Sequence, residues 1–281
     1  MAFWSLTTTA SGNTGLLLAT SLVIGAAAVG APEIASANQD SIEEASTALM
    51  RIAAGSSKRR IAVIGDSLAF ELWKGLTETH RGSGRYEFLK FSRVSTGLVR
   101  RDVYNWNNKV RDIVAGTRFD MALVIIGGND RQSMWVNKRR LQRFTKPWYR
   151  VYSRRADAFM KTLRRSGKPV YWVGLPIVRP SAMRRDYRRL NRVYKRVAAK
   201  NGVHYISSWR VFADSHGRYT GFGRDKDGAR RRMRDNDGLH FSPYGRLKFG
   251  RFVFRRIRRE LGLDIRPPDG GKTETASVLA D

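Results

Sequence analysis

The chain has 281 residues, 42% of them hydrophobic, enough apolar material for one sizeable α/β domain with extra segments at its ends. Its 53 Lys and Arg against 24 Asp and Glu give a formal net charge of +29, a field that favours anionic partners such as nucleic acid, acidic polysaccharide or a lipid surface. No cysteine is present, which excludes thiol nucleophiles, disulfides and zinc sites built on Cys.

Residues 15–31 form an uncharged run that includes Leu16-Leu17-Leu18 and Leu22-Val23-Ile24. Ala35-Ser36-Ala37 follows, with the small-x-small spacing of a signal-peptidase site. Residues 1–37 therefore read as a signal peptide or an N-terminal membrane anchor, although no Lys or Arg precedes the run. Export to the periplasm or cell envelope is the expectation. Residues 38–59 read as a linker with a short helix over 42–54, residues 60–264 as the folded domain, and residues 265–281 as a disordered tail.

Within the domain, Ile61-Ala62-Val63-Ile64-Gly65 is a short apolar run stopped by glycine, and Leu68, Leu72 and Leu76 after it share one helix face. Residues 86–91 are a weaker strand candidate. Residues 121–127 are the strongest, a continuous apolar run expected of a strand covered on both faces. Residues 170–174 and 203–206 give two more strands, and residues 148–165, 181–200 and 243–261 carry helical patterns. Alternation of this kind predicts a parallel sheet of about five strands between two helical layers, a flavodoxin-like three-layer α/β/α sandwich.

In such a sheet functional groups gather beyond the carboxyl ends of the strands. Ser67 lies two residues past the first strand at the start of a helix, where free N–H groups and the helix dipole favour a developing anion. Gly128-Asn129-Asp130 follows the 121–127 strand, Ser95-Thr96-Gly97 follows the 86–91 candidate, and Asp237-Gly238-Leu239-His240 precedes the last helix. A serine hydroxyl needs a base, imidazole suits near-neutral pH, and a carboxylate on its far nitrogen fixes the tautomer. The backbone N–H groups of Ser67 and Gly97 and the side-chain amide of Asn129 are suitable donors for a tetrahedral oxyanion. His80 at a helix end, His204 in a strand and His216 in a turn are weaker candidates for the base.

These blocks, in this order, resemble the SGNH (GDSL-type) hydrolase superfamily: Ile64-Gly65-Asp66-Ser67-Leu68, then Gly97, then Gly127-Gly128-Asn129-Asp130, then Asp237-Gly238-Leu239-His240. The resemblance spans roughly residues 60–262 and is nearest to an exported bacterial branch of uncharacterised function. It implies Ser67 as nucleophile, Asp237 and His240 as the rest of a catalytic triad, Gly97 and Asn129 as the oxyanion hole, and no metal or cofactor. It also implies acyl-ester chemistry, without fixing the substrate.

Arginine is concentrated after residue 130, and Arg230-Arg231-Arg232 with Arg234 runs directly into the Asp237 loop. That adjacency marks Arg231, Arg232 and Arg234 as candidate groups for holding carboxylates or phosphates of an acylated polymer. The absence of a helix-turn-helix, zinc or RNA-binding strand pattern argues against nucleic acid as the partner. The resulting expectation is an exported serine esterase acting on an acyl ester, an O-acetyl group on an envelope or extracellular carbohydrate. An O-acyltransferase using the same site, and a non-catalytic basic protein binding an anionic envelope polymer, are the alternatives.

Overall fold

Apolar runs separated by helices become one parallel sheet in the computed structural model, which describes residues 58–261. The chain begins with β1 (Arg59–Gly65), α1 (Ser67–Thr79), β2 (Tyr86–Ser92), α2 (Trp106–Gly116) and β3 (Met121–Ile125). A short hairpin, β4 (Met134–Val136) and β5 (Arg139–Leu141), leads into α3 (Lys146–Arg164), β6 (Val170–Val173), α4 (Ser181–Lys200) and β7 (His204–Ile206). A 3-10 turn (Trp209–Phe212) and a second hairpin, β8 (Phe222–Arg224) and β9 (Arg230–Arg232), precede α5 (Pro243–Glu260). The expected signal or anchor segment, the 42–54 helix and the C-terminal tail lie outside the described residues.

The five sheet strands run parallel in the order β2-β1-β3-β6-β7, the flavodoxin-like arrangement expected from the alternation. Val63, Ile64, Val124, Ile125 and Trp172 are buried, as helical cover on both faces requires. α1 packs on α5, and α2, α3 and α4 form the other helical layer. The α1–α5 crossing depends on two glycines: a Cβ on Gly75 would lie 2.1 Å from the Arg246 carbonyl oxygen, and one on Gly250 2.6 Å from the Gly75 carbonyl carbon. That close approach sets the second half of α1 against the first half of α5.

Three elements go beyond the sequence expectation. α2 buries Trp106, Val110 and Ile113, a one-face spacing set among polar residues. The β4–β5 hairpin turns through Asn137 and Lys138, both left-handed (φ 49° and 61°), as a two-residue turn of this type requires. The β8–β9 hairpin closes a five-residue loop in which the Asp225 carboxylate accepts the N–H groups of Asp227 and Ala229.

Candidate active site

The strand order reverses beside β1, because the chain passes from β1 to β2 on one side and later to β3 on the other. Such a switch point opens a crevice at the carboxyl ends of the two strands. Ser67 follows β1 there, and Gly128 and Asn129 follow β3.

Asp66 shapes both loops. It is the N-cap of α1, accepting the Leu68 N–H at 3.0 Å through one oxygen. Its other oxygen accepts the N–H groups of Gly127 and Gly128 at 2.9 and 2.8 Å. One buried carboxylate thus ties the Ser67 turn to the Asn129 turn. Burial pushes this carboxyl up to about 7, against the pull of the Leu68 and Gly128 N–H groups and with a contribution from the charge of Asp130.

Asp130 does the same for the third loop. It is buried and accepts the N–H groups of Leu98 and Val99 at 2.8 and 2.9 Å and the Tyr152 hydroxyl at 2.7 Å. Burial raises it above the ordinary carboxylate range, while those donors pull the other way. Gly97 packs directly on this carboxylate, since a Cβ there would sit 2.2 Å from Oδ1. The Asn129 amide donates to the Thr96 carbonyl at 2.9 Å, which fixes its orientation toward the crevice.

The loop before α5 reaches the same place. Asp237 accepts the N–H groups of Leu239 and His240 through Oδ1 at 2.8 and 2.9 Å, and its Oδ2 lies 2.6 Å from His240 Nδ1. Burial works to raise Asp237, but these three donors outweigh it and hold the carboxyl below its ordinary value. On the far side of the ring, His240 Nε2 lies 3.2 Å from Ser67 Oγ. Serine, imidazole and carboxylate therefore form one hydrogen-bonded line, although Ser67 and His240 are 173 residues apart.

The cavity beside this line is small, about 280 Å³, and is lined by Ser67, Ser95, Asn129, Tyr187, Leu239 and His240. Tyr187 donates to the Gly128 carbonyl at 3.2 Å. Ser95 sits in the left-handed region at φ 58°, a conformation that costs energy for a residue with a Cβ and is met often at functional sites. Among the described residues no group of three His, Asp or Glu converges as a metal site.

The arginines next to the loop are placed differently from the sequence expectation. Arg234 is 1% exposed and lies against the faces of Phe212 and Phe241, 4.4 and 4.0 Å from the ring centres. It donates to the Ile177 carbonyl at 2.7 Å and to the Leu239 carbonyl. Burial lowers its guanidinium to about 9, which leaves it charged at neutral pH. Arg234 is therefore a support beneath the His240 loop and does not face a substrate, a correction that follows from its burial. Arg231 pairs with Asp225 at 3.0 Å and lies over Tyr244, and Arg232 bonds the Arg234 carbonyl at 2.9 Å and the Asn236 side chain. Arg179 completes the support: its N–H donates to the Gly238 carbonyl at 3.1 Å and its guanidinium to the Asn236 carbonyl. The sequence carries no local signal for Tyr187 or Arg179, whereas Asp66 and Asp130 stand inside the quoted blocks.

The chain is similar in fold to solved hydrolases. A variant of Axe2, an acetyl-xylooligosaccharide esterase from Geobacillus stearothermophilus, shares 16% identity at a TM-score of 0.51, over 76% of this chain and 99% of that one. LAE5, an alpha/beta hydrolase enzyme from the metagenome of Lake Arreo, Spain, shares 14% identity at a TM-score of 0.50, over 74% and 97%. No curated protein sequence matches the chain. The family model described as "Protein of unknown function (DUF459)" matches residues 60–256. The chain accordingly belongs to the DUF459 family and carries the SGNH hydrolase fold.

Proposed function

We propose that this protein is an exported serine esterase that removes a short acyl group, an O-acetyl ester on a carbohydrate, with Ser67 as its nucleophile. The observation that carries the proposal is the line Ser67 Oγ–His240–Asp237, at 3.2 and 2.6 Å, at the start of α1. His240 Nε2 takes the serine proton as Oγ attacks the ester carbonyl. Asp237, held ionised by its donors, keeps Nδ1 protonated and offsets the imidazolium charge. The oxyanion is met by the N–H groups of Ser67 and Gly97 and by the Asn129 amide, whose orientation the Thr96 carbonyl fixes. Collapse expels the alcohol, which takes the proton from His240; a water deprotonated by the same ring then frees the acid and restores Ser67.

The small cavity favours a short acyl group over a fatty chain. The fold shared with an acetyl-xylooligosaccharide esterase supports acetyl as that group and carbohydrate as the alcohol. Export rests on the uncharged run at residues 15–31 and the Ala35-Ser36-Ala37 site after it. The purified protein is expected to hydrolyse 4-nitrophenyl acetate and to be labelled on Ser67 by a fluorophosphonate. Ser67→Ala is expected to lower kcat by at least about 10⁴-fold. Hydrolysis unchanged in Ser67→Ala overturns the proposal.

A further inference from the structure

A second and larger cleft, of about 640 Å³, is lined by residues that follow Gly97 and Asn129 along the chain. Its walls continue from the loops already described. Val99 stands two residues past Gly97, and Gln132, which donates to the Asn129 carbonyl at 2.9 Å, stands three residues past Asn129. Chain reach alone keeps Gln132 within about 11 Å of Asn129. The loops that carry Gly97 and Asn129 thus also supply walls of this cleft.

The chemistry of the cleft is specific. One wall is the β4–β5 hairpin, in which Trp135 and Arg140 stand directly opposite each other and so project from the same face. Trp135 is 68% exposed, the most exposed large hydrophobic side chain among the described residues. The other wall supplies Arg100, Arg101, Asp102 and Arg155. Arg100 is paired with Asp102 at 2.7 Å, and Arg155 donates to the Leu98 and Val99 carbonyls at 2.7 and 2.6 Å. Arg101 and Arg140 have no carboxylate partner among the described residues. An exposed indole next to two guanidinium forks without a carboxylate partner complements a ligand that alternates apolar ring faces with carboxylates.

We propose that this cleft is a subsite for a carboxylate-bearing glycan, a chain of uronic-acid type whose acyl ester reaches Ser67, with Trp135 stacking on a sugar face and Arg101 and Arg140 pairing with its carboxylates. The inference rests on the esterase reading for the ester, and on the cleft alone for the glycan. Binding and turnover therefore test it separately.

Binding of polygalacturonate, which carries no ester to turn over, is measured by calorimetry on the full chain, on Trp135→Ala, and on the double variant Arg101→Gln with Arg140→Gln. Affinity is expected to fall about tenfold in Trp135→Ala and about tenfold or more in the double variant. Both variants should keep the wild-type kcat/KM on 4-nitrophenyl acetate. With acetylated polygalacturonate their KM should rise by a similar factor, and with neutral acetylated xylan it should stay put. Equal polygalacturonate affinity in all three proteins overturns the proposal. So does single-stranded DNA of matched charge binding more tightly than polygalacturonate with the same dependence on Trp135. If 4-nitrophenyl acetate is not hydrolysed while polygalacturonate binding still depends on Trp135, the glycan cleft stands and the esterase reading falls. If the acetate is hydrolysed and the variants bind as wild type, the reverse holds.

Discussion

Two short arginine-bearing hairpins interrupt the α/β repeat, and their cations are engaged in opposite ways. In and around β8–β9 the arginines are bonded within the protein: Arg224 to the Gly228 carbonyl, Arg230 over Phe222, Arg231 to Asp225, and Arg232 to the Arg234 carbonyl. Arg234 just beyond is buried outright. In β4–β5, Arg140 has no carboxylate partner among the described residues and stands across from an exposed tryptophan at the edge of a cleft. The difference teaches that a formal charge of +29 describes the field around the protein and not the place where an anion is held. That place is set by which guanidinium groups lack an internal partner.

The strongest way to break the comparison is to exchange one arginine from each region for methionine. Arg234→Met keeps apolar volume between Phe212 and Phe241 but leaves the Leu239 and Ile177 carbonyls without their donor. One buried and one half-buried acceptor losing their donor should cost about 2–4 kcal/mol in urea unfolding. A His240 loop displaced by an ångström should lower kcat on 4-nitrophenyl acetate by about 10²-fold. Arg140→Met should leave both quantities at the wild-type value. Equal unfolding midpoints for the two variants would show that β8–β9 and its continuation do not hold the loop.

A second effect comes from pH, which titrates the acidic floor of the site. Asp66 is raised from 3.8 to about 7 by burial. Between these values the folded protein holds a proton that the unfolded chain has released, so stability falls as pH rises from about 4 to about 7 and levels off above. His80, lowered by burial, works in the opposite direction near the top of that window. The comparison of wild type with Asp66→Asn isolates the carboxylate: the wild-type urea midpoint should drop across the window relative to the variant's. A constant difference between the two curves would place the Asp66 proton outside it.

Most of the sheet and four of the five helices are legible in the sequence because strands covered on both faces must be apolar throughout and long helices must keep one apolar stripe. The residues brought together at the site are legible for a topological reason. A parallel sheet gathers its strand ends, so Ser67, Asn129 and the Asp237–His240 pair need only follow the right elements to meet. α2 is obscured because Trp106, Val110 and Ile113 are diluted by Asn, Lys and Arg. The hairpin strands, three residues each, are too short to show a period. Support residues are invisible for another reason: Arg234 reaches the Ile177 carbonyl across 57 positions, and nothing local announces that contact. The run Arg230–Arg232 and Arg234 also reads as one cluster, whereas burial divides it, with Arg231 and Arg232 outside and Arg234 inside.

The smallest effect sharpens the comparison most. Arg231 and Arg232 precede the His240 loop, so charge alone would make them the anion site; their existing bonds to Asp225, Asn236 and the Arg234 carbonyl argue otherwise. Arg231→Gln lies outside the lining of the Trp135 cleft and removes the pair with Asp225 and the contact over Tyr244, a change worth about 1 kcal/mol in unfolding. Its KM for acetylated polygalacturonate should stay within about twofold of wild type, a difference of about 0.4 kcal/mol. The same substitution at Arg140 should raise KM severalfold. Equal rises at the two positions would mean that the polymer senses the overall field, and the contrast between the hairpins would then be one of internal bonding only.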